Sequence, residues 1–258
     1  MTETEYRAHP GVNQSTLWEM RKSPAHYRYA LEHPETDTPA LRMGKALHAA
    51  VLQPESFKKD YTVLPDHINR RTKAGQEEYL SMLAAGKTIL TVEEWARIEA
   101  MAQAIRTDAA AAELLTDCRT EVPIFWDDQQ TGIQCKARLD AYKPGIIVDV
   151  KSCESAATND FLRKALHYGY DLQAAHYTRG AEAVFQQGEP EFFFVAVEKA
   201  PPYAVNVLHA SVTFIDRGAW RLIGFLEKLK HCRETGTWPG YGEHDLILPE
   251  WATVPDDE

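Results

Sequence analysis

The segment Arg138-Leu-Asp140-Ala-Tyr-Lys-Pro-Gly-Ile-Ile-Val-Asp149-Val-Lys151 carries two acids and a lysine around a Pro144-Gly145 turn. Pro-Gly between two runs rich in β-formers signals a hairpin. A hairpin turning there sets Asp140 opposite Asp149, and cross-strand partners have Cβ atoms about 4.5–5.5 Å apart on one face. Lys151 shares that face and stands across from Arg138. A slip of the turn by one residue would change this pairing. Facing carboxylates repel, and the flanks Ile146, Ile147, Val148 and Val150 are apolar, so the strand is expected to be central. Two acids in such a place favour a divalent cation. Oxygen ligands with open positions suit Mg2+ or Mn2+. A lysine beside them can position a metal-bound water or stabilise developing charge, which fits attack on a phosphodiester. The competing reading is a plain salt bridge from Lys151 to Asp140 or Asp149 on an exposed hairpin.

Other residues extend this chemistry. His48 lies in Gly44-Lys-Ala-Leu-His48 on an expected helix, among apolar neighbours; a satisfied core histidine is the alternative. Gln173 and Tyr177 are four apart and share a helix face, which packing alone also explains. Glu121 opens an expected strand and is a candidate extra carboxylate; otherwise it is a strand-end residue. Ser15, read as a helix N-cap, could join Arg21, Lys22 and Arg28 in a terminal-phosphate pocket, since helix N-termini and Arg bind phosphate. Arg70, Arg71 and Lys73 are candidate contacts to a phosphate backbone, with a plain exposed loop as the alternative. Trp18, Trp95, Trp126 and Trp220 are expected in the core.

In order, His48 in G-x-x-x-H, Asp140 in R-L-D, Asp149-x-Lys151 and Gln173-x-x-x-Tyr177 resemble the RecB-type nucleases of the PD-(D/E)XK superfamily. The opening Ser15-Thr-Leu and Ser23-Pro-Ala-His-Tyr27 resembles the RecE (exonuclease VIII) exonucleases of phages and prophages. The resemblance spans residues 10–210 and leaves the C-terminal stretch unaccounted for. It implies an exodeoxyribonuclease that digests duplex DNA from its ends, 5′ to 3′, leaving 3′ single strands for recombination by annealing. It implies two Mg2+ ions per site, with Mn2+ as substitute, held by His48, Asp140, Asp149 and the Val150 backbone carbonyl. Lys151 would position the water, and Gln173 and Tyr177 would orient the site. Many relatives have Glu where Asp149 stands; RecE-like proteins accept Asp. The family further implies a ring-shaped homo-oligomer (trimer or tetramer), a phage-type single-strand annealing partner, and a bacterial host cytoplasm with a phage or prophage gene. An endonuclease of the same superfamily and a silent DNA-binding protein on the same fold remain as rivals. Intact acids argue against the silent protein.

The elements that must position these residues can be read along the chain. Residues 1–115 read as a helical region contributing His48, with a helix over 41–52 and further helices at 76–84 and 92–115. Residues 58–75 are polar and read as a loop. Residues 116–240 read as the nuclease core: strands at 121–126, 133–142 and 146–152, helices at 158–167 and 170–187, a strand pair at 191–199 and 203–209, and a helix over 212–235. Residues 241–258 read as an acidic irregular tail, and the whole is expected to be one domain. This predicts a mixed α/β fold, a PD-(D/E)XK core with a central mixed sheet flanked by helices.

Composition sets the outer limits. The chain has 258 residues, 44% hydrophobic and 26% charged, enough for a real core without disulfides. No apolar run approaches the ~20 residues of a membrane helix, and the polar, acidic start does not read as a secretory signal. Cys118, Cys135, Cys153 and Cys232 form no CxxC pair, so a zinc ribbon is not expected. The formal net charge of −10 argues against a generic nucleic-acid coat protein, but residues 1–75 carry 11 Lys/Arg against 9 Asp/Glu and the rest 17 against 29. An acidic exterior with bases confined to one channel would reconcile that charge with DNA. No G-x-x-x-x-G-K-[ST] motor motif and no G-x-S-x-G elbow is present.

Overall fold

The computed structural model of the chain describes residues 1, 3–33, 38–65, 67–68, 71–84, 86–243 and 245–247. Its N-terminal part is helical: α1 (Glu3–Ala8), α2 (Gln14–Leu17), a 3-10 turn (Trp18–Arg21), α3 (Pro24–Glu32), α4 (Pro39–Leu52) and α5 (Pro54–Asp60). The short strand β1 (Tyr61–Val63) pairs in parallel with β2 (Thr88–Leu90), and α6 (Lys73–Ala84) lies between them. This small sheet was not expected, because three-residue strands carry no readable period. Then come α7 (Val92–Thr107) and α8 (Ala109–Leu115). They were expected as one helix. Asp108 breaks it by accepting the Ala111 N–H as the N-cap of α8.

The central sheet runs β3 (Arg119–Asp127), β4 (Gln134–Lys143), β5 (Ile146–Cys153), β6 (Glu191–Glu198) and β7 (Val205–His209) in that spatial order. β3, β4 and β5 form an antiparallel meander. β5 and β6 are parallel, and the crossover between them is α9 (Thr158–Tyr168) and α10 (Tyr170–Phe185). β7 returns antiparallel to β6, and α11 (Val212–Thr235) closes the fold. The result is the expected mixed α/β architecture with helices on both faces of a mixed sheet.

Alternation along β5 divides the two cores. Val148 and Val150 pack with Ala46, Leu47 and Ala50 of α4 and Ile98 and Met101 of α7. Ile147 packs on the other face with Phe161 of α9, Ala174 of α10 and Phe192 and Phe194 of β6. Period-2 geometry therefore turns Asp149 and Lys151 toward α10, while α4 covers the opposite face. The α4 helix starts where Thr38 accepts the Leu41 N–H, with Pro39 in its first turn. Its Ala46-Leu47-Ala50 stripe is fully buried, which fixes the rotation of the helix and so the direction of His48.

The hairpin turns at Pro144-Gly145 as expected: Ala141 pairs with Val148, Tyr142 with Ile147 and Lys143 with Ile146. The expectation fails one step further. The ladder stops at Ala141–Val148, so Asp140 and Asp149 are not ladder partners. β3 and β4 also lose one pair at the same level, between Thr120–Ala141 and Val122–Leu139. Leu139 faces the α10 core and Ala141 the α4 core. The sheet is thus opened at Asp140, and groups from both faces reach one spot.

Candidate active site

Four strand residues and three helical ones meet at this opening. Asp140 Oδ2 accepts the Val150 N–H at 2.9 Å, taking the place of a ladder bond. The Val150 carbonyl lies 2.8 Å from His48 Nε2, and His48 Nδ1 lies 3.5 Å from Asp140 Oδ2. Asp149, 1% exposed, receives Gln173 Nε2 on Oδ1 at 2.6 Å and has Lys151 Nζ 2.5 Å from Oδ2. That Lys–Asp contact is a tight, buried ion pair, the ammonium being the partner of Oδ2. Tyr177 shares a hydrogen bond with the Gln173 side chain.

Charge in this cluster is unevenly held. Burial opposes the His48 imidazolium, but the Asp140 carboxylate beside it wins and pushes its pKa up to about 9. Burial likewise opposes the Asp140 anion, yet His48, Lys151 and the Val150 N–H hold its pKa below the usual carboxylate value. Asp149 goes the other way. Burial, with repulsion from Asp140, outweighs the pull of Lys151 and raises it to about 6. Lys151 is raised to about 12: its burial is outweighed by Asp149 and Asp140. Tyr177 is pushed well above its ordinary value by burial and the two acids, so its hydroxyl stays protonated.

Glu121 belongs to the same cluster. His48, Glu121 and Asp140 each offer a ligand atom within 4.8 Å of the others. Glu121 holds an unusual backbone, φ +52°, in the left-handed region that side chains avoid. Arg138 Nε lies 2.8 Å from Glu121 Oε2. Arg138 was expected across from Lys151; the ladder ends before that pair, and Arg138 turns to β3 instead. Imidazole, carboxylates and a backbone carbonyl are a donor set for Mg2+ or Mn2+.

Sequence reasoning missed Tyr170. Its ring centroid lies 4.9 Å from Lys151 Nζ, and burial raises its hydroxyl pKa. The signal was present: Tyr170, Gln173 and Tyr177 follow the 3, 4 spacing of one helix face.

The expected terminal-phosphate pocket does not assemble. Asn13, not Ser15, caps α2, and Ser15 is an exposed residue within the helix. Arg21 and Lys22 pair with Glu19, and Arg28 pairs with Glu32. Arg21 and Lys22 line a hollow of about 620 Å3 that shares no residue with the carboxylate cluster. Arg71 and Lys73 are exposed around the start of α6; Arg70 lies outside the described residues. Trp220 was expected in the core but is 78% exposed, whereas Trp18 is buried as expected. Among the described residues no helix is long and apolar enough to cross a membrane.

The sequence matches, over residues 13–247, the family described as "PDDEXK-like domain of unknown function (DUF3799)". No curated protein matches it. Among solved structures the chain is similar to one from Eubacterium rectale named "Putative exonuclease". That pair has 16% identity and a TM-score of 0.67, covering 97% of this chain and 95% of the other. At that identity the likeness shows the fold. A phage-related exonuclease from Haemophilus somnus 129PT is matched at 12% identity and a TM-score of 0.34, over 91% of this chain and 100% of the other, too distant to support an argument.

Proposed function

The chain belongs to the PDDEXK-like family DUF3799, and from that premise we propose that it is a metal-dependent nuclease acting on DNA. The observation that carries this reading is the meeting of Asp140, Asp149 and Lys151 with His48 where β4 and β5 part. A plain salt bridge on an exposed hairpin does not need two buried acids, nor a histidine brought in by a helix. Mg2+ or Mn2+ held by His48, Asp140, Asp149 and the Val150 carbonyl, with Glu121 within reach, would supply Lewis acidity and an activated water.

The protein's own groups have distinct tasks in this reading. Asp140 and Asp149 place negative charge on two adjacent strands. Gln173 holds Asp149 by its Oδ1 and leaves Oδ2 for other partners. Lys151 keeps its proton at neutral pH, so it orients a water and meets charge developing on the phosphate. Tyr177 stays neutral and steadies Gln173. Tyr170 covers the lysine and limits its contact with bulk water.

More narrowly, we propose an exodeoxyribonuclease that degrades linear duplex DNA from its ends, 5′ to 3′, and leaves 3′ strands for annealing. This rests on the resemblance to RecE-type enzymes, as do the ring-shaped homo-oligomer, the annealing partner and the cytoplasmic setting. Purified protein incubated with linear and circular duplex DNA, in Mg2+ or EDTA, tests it beside Lys151→Ala. Mg2+-dependent loss of the linear form alone, absent in the variant, is the expected result. Cutting of the circle would make it an endonuclease. No degradation of either in Mg2+ or Mn2+ would overturn the nuclease reading.

A further inference from the structure

Tyr168, Gly169 and Tyr170 form the corner between α9 and α10. Gly169 has φ +74°, and a Cβ there would lie 2.6 Å from the Trp18 ring, so glycine alone fits. Gln14 Nε2 also donates to the Gly169 carbonyl at 3.3 Å. The N-terminal segment therefore fixes the corner and the two rings it carries. Tyr170 sits against the Lys151 ammonium, and the Tyr168 ring lies 6.0 Å from Tyr170 at 31°. Tyr168 is 50% exposed, and the His167 ring stands edge-on to it at 4.9 Å. Lys164, one turn earlier on that face, is exposed and forms no ion pair among the described residues.

A row of rings thus leads from the candidate catalytic lysine to solvent, with the Lys164 ammonium beside it. The fold does not need this face: Phe161 and Ala165 bury the other side of α9. Exposed aromatic rings next to unpaired cations are how proteins hold single strands, with bases on the rings and phosphates on the bases of the protein. The chain is acidic overall, so an exposed lysine without an ion-pair partner among the described residues, beside exposed rings, is where a polyanion would meet least repulsion. We infer that Lys164, His167 and Tyr168 hold the unpaired DNA strand next to the phosphodiester in the site, a base stacking on Tyr168 and Lys164 meeting a flanking phosphate. This rests on the nuclease reading above.

The test is binding of a short fluorescein-labelled single-stranded oligonucleotide, followed by anisotropy in EDTA, with cleavage in Mg2+ measured in parallel. Tyr168→Ala is expected to weaken binding about tenfold, the range of one lost base stack. Tyr168→Phe should bind as the wild type does, because the ring is kept. Lys164→Ala should weaken binding and flatten its salt dependence. Tyr29→Ala, at a still more exposed tyrosine on α3, should have no effect. The inference is overturned if Tyr168→Ala and Lys164→Ala bind as tightly as a wild type that binds DNA and cleaves it through Lys151. A wild type that neither binds nor cleaves DNA overturns the nuclease reading and this inference with it.

Discussion

Asp140 and Val150 are joined across the opened end of β4 and β5, the carboxylate accepting the Val150 N–H at 2.9 Å. The same residue turns its carbonyl to His48 Nε2. One backbone unit therefore ties together an acid and a histidine that lie 92 positions apart in the chain. Asp149, one residue earlier, enters the cluster from the opposite face. The two acids stand in different environments, and this makes them separable by experiment.

Replacing each acid by its amide should separate them in metal-free protein. Asp140 is held as an anion by His48, Lys151 and the Val150 N–H. Asp140→Asn removes those charge-assisted bonds and should destabilise by about 1.5–3 kcal/mol. Asp149 resists ionisation because burial outweighs Lys151. Asp149→Asn should therefore cost less than Asp140→Asn in metal-free protein, the buried Lys151 ammonium keeping Asp140 as a counter-charge. Both should abolish any gain in unfolding free energy on adding Mn2+. Urea melts in EDTA and in Mn2+ measure all four quantities; equal loss in EDTA for both variants would refute the asymmetry.

Between about pH 4 and 9, the pH dependence of metal-free stability is governed by three groups. His48 is raised from 6.5 to about 9, so its contribution is full below 6.5 and is lost as pH rises through 9. Buried His176 is lowered to about 4, burial opposing its charge; its contribution is present above 6.5 and is lost as pH falls through 4. Asp149, raised to about 6, adds stability below 3.8 that is lost as pH rises through 6, which blunts the His176 limb. Thermal melts in EDTA should fall between pH 6.5 and 9, and His48→Gln should flatten that limb. An unchanged alkaline limb in His48→Gln would sink this account.

Much of the fold was legible because it is local. Alternation marked β3 to β7, Pro144-Gly145 marked the hairpin, and Asp149-x-Lys151 kept its face. The opening of the sheet at Asp140 was not legible, since it depends on a carboxylate competing for a ladder N–H. Arg138 was misplaced for the same reason. Ser15 looked like a cap, but Asn13 two residues earlier supplies a better acceptor to the Thr16 N–H. Trp220 shows that residue type alone does not decide burial: its helix presents the opposite stripe, Leu222, Leu226 and Leu229, to the core.

Helix packing behind the site rests on a glycine. A Cβ on Gly218 of α11 would lie 1.9 Å from the Asp171 carbonyl oxygen of α10, the helix that carries Tyr170, Gln173 and Tyr177. Backbone cannot yield as a flexible side chain can, so Gly218→Ala should destabilise by several kcal/mol, about 3 or more. Gly224 on the same helix meets nothing within 4 Å. Gly224→Ala should stabilise by about 0.5–1 kcal/mol through helix propensity. Melting both variants tests the α10–α11 contact; a Gly218→Ala protein as stable as wild type would show it to be looser than described.

Glu121 offers the sharpest test of the metal reading. Its left-handed backbone costs about 1–3 kcal/mol for a residue with a side chain. Such strain persists where surroundings fix it, and here Arg138 ties one carboxylate oxygen at 2.8 Å. A Glu121 carboxylate oxygen also lies within 4.8 Å of ligand atoms of His48 and Asp140. If Glu121 is a ligand, Glu121→Gln should weaken Mn2+ binding about 10–100-fold, and Arg138→Ala should weaken it by a smaller factor through loss of orientation. Calorimetric titration of Mn2+ reads both without reference to cleavage. If Glu121→Gln binds Mn2+ as the wild type does while Asp140→Asn does not, Glu121 serves Arg138 alone and the cation rests on His48, Asp140 and Asp149.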